Sequence, residues 1–206
     1  MRKILELGGM LAAVVLIAFG IGAIATGIDG RSTVKDNLKQ EQIVGTPDMT
    51  PDQTKTAAKE AGLPASVELP TCTVAGQQVN DGDSARCFAG YMRVHALEAT
   101  GGKTYSQLPR FATADGKGTD DEKAALMNDK GRPVDNPIRS LWITETALST
   151  ALNTAYMAER ISLFGIVTGI AMLLAGIGLG ILALFVFGQS KDARKPDAAA
   201  PPAPTA

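Results

Sequence analysis

Two stretches of this 206-residue chain admit very few solutions. Residues 4–28 read "ILELGGMLAAVVLIAFGIGAIATGI", with Glu6 as the one charge, and residues 161–188 read "ISLFGIVTGIAMLLAGIGLGILALFVFG", with none. Each has roughly 25 residues, and a helix needs about 20 to cross the hydrocarbon layer of a bilayer. The sequence between them is polar and charged, too polar to wrap a rod as apolar as 161–188, so both are expected to be transmembrane helices. The first also resembles a secretory signal, with "MRK" as its basic start and Ala23-Ile24-Ala25 as a cleavage-like site. Its apolar core exceeds the roughly 7–15 residues of a cleaved signal, which favours an uncleaved anchor.

The chain then divides into a short cytoplasmic start (1–3), a first span (4–28), an outer domain (29–160), a second span (161–188) and a cytoplasmic tail (189–206). Arg2 and Lys3 before the first span and Lys191, Arg194 and Lys195 after the second suit cytoplasmic ends. Arg31, Lys35, Lys39 and Arg160 flank the other ends, so charge alone decides little. The connecting region of about 130 residues is also far above the roughly 60 over which the positive-inside bias is counted. A net charge of −1 argues against a nucleic-acid binder, which would need a basic face to neutralise phosphates.

Cys72 and Cys87 are the only cysteines. A zinc site would need two more ligands and His95 is the single histidine, so the usual cysteine and histidine sets cannot be completed. The spacing is also far from C-x-x-C. A disulfide closing a loop of about 15 residues remains, worth on the order of 3 kcal/mol. It persists in an oxidising compartment, which implies an extracytoplasmic middle region in the cell membrane. Two unpaired buried thiols in a cytoplasmic domain are the alternative.

Within the outer domain, Val34, Leu38 and Ile43 recur at near-helical spacing and extend the first helix beyond the span. Thr50 is an N-cap candidate, with Pro51 at the first helical position and Gln53 completing a capping box; Gly62 and Pro64 end that helix. The cysteine segment reads as an extended arm or small hairpin. From Ser84 to Thr100 a helix is expected, with Phe88, Tyr91, Met92, His95, Ala96 and Ala99 on one side, Asp83 or Ser84 at its start and Gly101 beyond its end. Residues 105–135 read as a solvated connection with a short helix capped at Thr119. Asn136-Pro137 opens a final helix that runs to residue 188, about 50 residues and close to 75 Å. Its outer stripe of Ile138, Leu141, Leu148, Ala151, Leu152 and Ala155 is expected to pack on the extension of the first helix. The alanine- and proline-rich tail lacks the means to bury a core and reads as disordered.

In the spans, Gly165 with Gly169, Gly176 with Gly180, and Ala23 with Gly27 have the small-xxx-small spacing that lets backbones approach. Tyr91, His95 and Glu98 form the candidate ligand or interaction site, His95 being the one side chain that ordinarily titrates near neutral pH. Trp142 lies too far before the second span for an interfacial anchor and is expected in the outer domain, whereas Tyr156 suits the membrane surface. Glu6 fits the cytoplasmic interface beside Arg2 and Lys3. "GGKTY" has the end of a P-loop, but Leu97 stands where the motif needs glycine. "ADGKGTDDE" has the look of a calcium loop, but Lys117 occupies a ligand position and Asp120 replaces the turn glycine.

The runs "GRSTVKDNLKQEQIVGTPDMTP" and "YMRVHALEATGGKTY", with the flanking spans, resemble a group of uncharacterised actinobacterial two-pass membrane proteins over nearly the whole chain. Some of these carry the genome label "aromatic ring-opening dioxygenase". The residues do not support that chemistry: a two-histidine, one-carboxylate iron site cannot be built around His95 alone. The resemblance carries no active residues.

The sequence therefore points to a mainly α protein, with two transmembrane helices extending into a small helical extracytoplasmic domain stapled by one disulfide. The expected role is structural or accessory, in a cell-envelope complex, with membrane lipid and a protein partner or second copy as contacts and no cofactor. An extracytoplasmic sensor or ligand binder is the alternative, and an enzyme the weaker one.

Overall fold

The computed structural model describes residues 2–192, with side chains described for 7–185. Four helices, α1 (Arg2–Gln40), α2 (Pro51–Glu60), α3 (Gly82–Ala99) and α4 (Pro137–Asp192), are joined by irregular segments that carry single 3₁₀ turns at Tyr105–Gln107 and Glu122–Ala124. The chain divides into two compact units: Met1–Asp29 with Ser162–Ala206, and Gly30–Ile161. Two helices, Leu7–Gln40 and Pro137–Phe185 in the described residues, are long and apolar enough to cross a membrane. Residues 189–192, expected to begin a disordered tail, instead continue α4, while the rest of that tail and the side chain of Glu6 lie outside the described residues.

The first unit is an antiparallel pair made by α1 and α4. A Cβ added to Gly20 would lie 2.8 Å from the carbonyl of Gly169, one on Gly27 2.6 Å from that of Ser162, and one on Gly176 2.9 Å from that of Ala13. Ala13, Ile17, Gly20, Ile24 and Gly27 advance in alternating steps of four and three. That spacing keeps one seam of a helix on its partner, and a small residue every seventh position lets the backbones close. The opposite faces present Leu11, Phe19, Phe164, Leu174 and Phe185, all exposed. This is the reverse of a soluble core, and apolar exposure of this extent marks a membrane or protein contact.

The small-residue repeat differs from the expected one. Of the two GxxxG pairs, only Gly169 and Gly176 lie at the tight approach. A Cβ on Gly165 would meet the Ala23 carbonyl at 3.6 Å, and one on Gly180 the Ala13 Cβ at 3.8 Å, both ordinary contacts. Gly27 lies at a tight approach, and so does Gly20, which is outside the expected small-residue pairs. The contact repeats every seven residues instead of every four because antiparallel neighbours meet at 3-4 spacing.

The second unit is built round α3. The turns of α1 and α4 that belong to this unit bring Leu38 and Leu152 onto Val79, Ala85 and Ala89, with Val34, Ile43 and Ala155 beside them. Met49 and Val74 pack on Cys87 and Tyr91, and Leu108 and Trp142 pack on Ala96 and Leu97, with Leu63, Val67 and Ile138 around them. The helix is thus buried on nearly all sides instead of along one stripe: Ala85, Ala89, Val94 and Leu97 are interior, whereas Ala99 is exposed. It also starts earlier than expected. Asp81 is the N-cap, accepting the Ser84 N–H at 2.8 Å while the Ser84 hydroxyl accepts the Asp81 N–H at 3.2 Å.

Thr50 caps α2 by accepting the Gln53 N–H at 3.4 Å, so the forward half of the expected capping box is present, and the helix stops before Gly62 at φ 65°. The cysteine segment is an arm, not a hairpin. It pairs with the chain after α1, Gly45 N–H donating to Gln77 O at 2.9 Å and Val79 N–H to Ile43 O at 2.8 Å. Residues 105–135 are more ordered than a solvated connection. Phe111 and Thr119 exchange both backbone bonds at 2.9 Å, Ala112 donates to Val134, and Leu108 and Phe111 are buried. The short helix there is one 3₁₀ turn capped by Asp121, not Thr119.

Asn136 starts α4, its Oδ1 accepting the Ile138 N–H at 3.1 Å, and the helix runs unbroken as expected. Its inward line differs. Ile138, Trp142, Glu145, Ser149, Leu152, Ala155 and Glu159 face in, whereas Leu141, Leu148 and Ala151 are exposed. Trp142 accounts for the rotation: its ring fills the cluster under Leu97 and its Nε1–H donates to Lys103 O at 2.9 Å. Its place in the second unit agrees with the expectation that it packs away from the apolar stretch 161–188.

Candidate functional site

The sequence candidates sit along one face of α3 and do three different things. Cys72 and Cys87 form a disulfide, with Cα atoms 6.1 Å apart, which ties the arm to the second turn of the helix. One turn on, Tyr91 is wholly buried and its hydroxyl donates to the Cys72 carbonyl. Burial raises the pKa of the phenol. Tyr91 therefore holds the staple from inside.

His95, one turn further, lies at the rim with Nε2 3.1 Å from Asp48 Oδ2, joining α3 to the turn before α2. The Asp48 carboxyl is held below its ordinary pKa, first by the Thr46 hydroxyl and then by its own backbone and His95, against a smaller opposing effect of burial. Glu98 is half-buried, and its Oε1 has no hydrogen-bond partner. A shallow depression on α2 is lined by Asp52, Gln53, Thr56, Ala57 and Glu60, and none of Tyr91, His95 or Glu98 borders it. Tyr91, His95 and Glu98 share a helix face, and each has its own surroundings there.

The most organised polar cluster lies at the other end of α3, and the sequence reading missed it. Glu159 of α4 is buried; its Oε2 accepts the Gly82 N–H at 2.5 Å and its Oε1 accepts Arg31 Nε at 2.7 Å. One carboxylate thus joins α1, α3 and α4 and fills an orphan donor in the first turn of α3, where the helix dipole favours negative charge. Burial pushes its pKa up, but the Gly82 N–H and the Arg31 guanidinium outweigh it and the net shift is downward. The Asp81 carboxyl is also lowered, chiefly by the Ser84 hydroxyl and N–H, with Lys35 and Arg31 adding to it against some burial. Arg160 pairs with Asp83, and the Tyr156 ring has the guanidinium of Arg86 at 4.7 Å and that of Arg160 at 5.0 Å. Tyr156, expected at a membrane surface, is here the centre of a cation–π stack. The available signal was Gly82 itself, a glycine inside "DGDS" at a helix start, where a side chain would collide with Glu159.

Among the described residues, no group of three or more histidine, cysteine, aspartate or glutamate side chains is placed to hold a metal ion. Comparison of the chain with protein-family models, curated proteins and solved structures finds no match.

Proposed function

We propose that the chain is a two-pass protein of the cell membrane, with both termini cytoplasmic and Gly30–Ile161 outside, acting as a structural or accessory component of a cell-envelope complex. The observation that carries this reading is how the candidate polar residues are used. Tyr91 holds the arm, His95 meets Asp48, and Glu159 joins three helices, so the chemistry of α3 serves to make a rigid outer unit. Such a unit acts through its surface. The disulfide supports the outside placement, because a crosslink of this kind persists in an oxidising compartment. The exposed apolar faces of the helix pair support the spans.

Membrane fractionation and detergent purification test the reading. The chain is expected to stay in carbonate-washed membranes, and a membrane-impermeant thiol reagent should label Cys72 and Cys87 in intact cells only after reduction. In mild detergent it should purify in stoichiometric association with itself or with other envelope proteins. Recovery as a lone monomer, or labelling only after lysis, would overturn it.

A further inference from the structure

α4 carries a second seam, and in the outer unit nothing covers it. Ile143, Ala147, Thr150, Thr154, Met157 and Ile161 follow one another in steps of four and three, and every one is exposed. They lie on the side away from Trp142, Glu145, Leu152 and Glu159, the residues that α4 buries. The Thr154 hydroxyl is satisfied within its own helix, donating to Thr150 O at 2.7 Å. Ile143, Met157 and Ile161 are each more than half exposed, at 58%, 62% and 63%.

The exposed arc around this seam is also free of charge. From Ser140 to Ala158, α4 has one ionisable carboxylate, Glu145, and it is buried. The other helices of the unit are different: α2 exposes Asp52, Lys55, Lys59 and Glu60, α3 exposes Asp83, Arg86 and Arg93, and α1 exposes Arg31, Asp36 and Lys39. A solvated helix face ordinarily carries charge, and charge depletion marks the centre of an interface.

We infer that this seam is where two copies of the chain associate, α4 against α4, in parallel and in register about a two-fold axis. The inference rests on the two-span reading given above. Spans that fix every copy in one orientation bring identical residues to the same height, so a symmetric contact must be self-complementary. A seam with no charge meets itself without repulsion, 3-4 spacing suits a left-handed helix pair, and Ala147 with the threonines allows close approach. The stripe is about 27 Å long at 1.5 Å per residue. One helix face of that length is short of the roughly 800 Å² per partner of a standard interface, so the contact depends on the membrane holding the copies together.

The test is a single-cysteine scan of the full chain in carbonate-washed membranes, with mild oxidation and non-reducing electrophoresis. Ala147→Cys, Thr150→Cys and Thr154→Cys are expected to give a disulfide dimer several-fold more readily than Thr144→Cys, Thr146→Cys and Asn153→Cys. An Ala147→Glu change at this exposed position should leave the monomer folded and abolish the dimer at Thr154→Cys. Equal yields around the helix, a crosslink to a different protein, or a dimer that survives Ala147→Glu would overturn the inference while leaving a membrane-retained chain consistent with the proposed function. A chain that washes free of the membranes would overturn both.

Discussion

The carboxylate of Glu159 lies 2.5 Å from the backbone nitrogen of Gly82, seventy-seven residues away in sequence. That contact explains the glycine. A Cβ at position 82 would come within 2.8 Å of Glu159 Oε2 and 2.9 Å of Tyr156 Cα, and the latter belongs to a backbone that cannot step aside. Gly82→Ala should therefore destabilise the unit Gly30–Ile161 by about 1–3 kcal/mol, the usual cost of overpacking. Chemical denaturation of the detergent-solubilised chain reads it, and an unchanged midpoint would show that α3 and α4 are not held this close.

Acidification should weaken the same junction. The Glu159 carboxyl has a lower pKa folded than unfolded, so its contribution is complete above the ordinary carboxylate value and is lost as pH falls through the folded-state value. Asp81 and Asp48 are shifted in the same direction and act in the same acid window. Stability measured between neutral and acid pH should decline, and Glu159→Gln should flatten that decline. An identical slope in the variant would exclude Glu159 as a contributor.

Reducing the staple should cost more than any single hydrogen bond. With the cysteines 15 positions apart, Cys72→Ser with Cys87→Ser is expected to lose about 3 kcal/mol. Tyr91→Phe, which removes only the hydroxyl that donates to Cys72 O, should lose about 1 kcal/mol. Thermal unfolding of the three proteins ranks them, and a larger loss from Tyr91→Phe would contradict the assignment.

The helix pair should distinguish among its glycines. Gly20→Ala and Gly169→Ala place a methyl group against backbone of the other helix, at 2.8 and 2.7 Å from its carbonyl oxygens. Gly165→Ala and Gly180→Ala meet only ordinary contacts at 3.6 and 3.8 Å. Thermal stability in detergent should fall for the first two and hold for the second two. Equal behaviour of all four would count against the seven-residue seam.

Gln42 is the one residue other than glycine with positive φ, 51°, among the described residues, and it ends α1 with its N–H on Lys39 O at 3.2 Å. A left-handed residue at a helix end is easiest for glycine. Gln42→Gly should be neutral or stabilising by up to about 1 kcal/mol, whereas Gln42→Val should destabilise. Urea titration separates the two, and a destabilised glycine variant would mean that the Gln42 side chain contributes more than its backbone costs.

Much of this architecture was readable from local rules. The two apolar helices, the Thr50 cap, the stops at Gly62 and Gly101, the uninterrupted run from Pro137 and the pairing of the two cysteines each follow from residue types acting within a few positions, or from the elimination of rival ligands. Periodicity also showed that α4 has an apolar stripe outside the span. It did not show which neighbour would take which part of it. Trp142 needed the acceptor at Lys103 and the space beneath Leu97, and satisfying both turned Leu141 and Leu148 outward. Glu145 and Glu159 have the sequence signature of solvent-facing residues, yet they are buried, because burial of a carboxylate depends on donors that arrive from other helices or the next turn. Tertiary packing likewise chose Gly20 over Ala23. Side-chain chemistry and spacing decide what an element can be, while the partners that satisfy its polar groups and fill its grooves decide which way it faces.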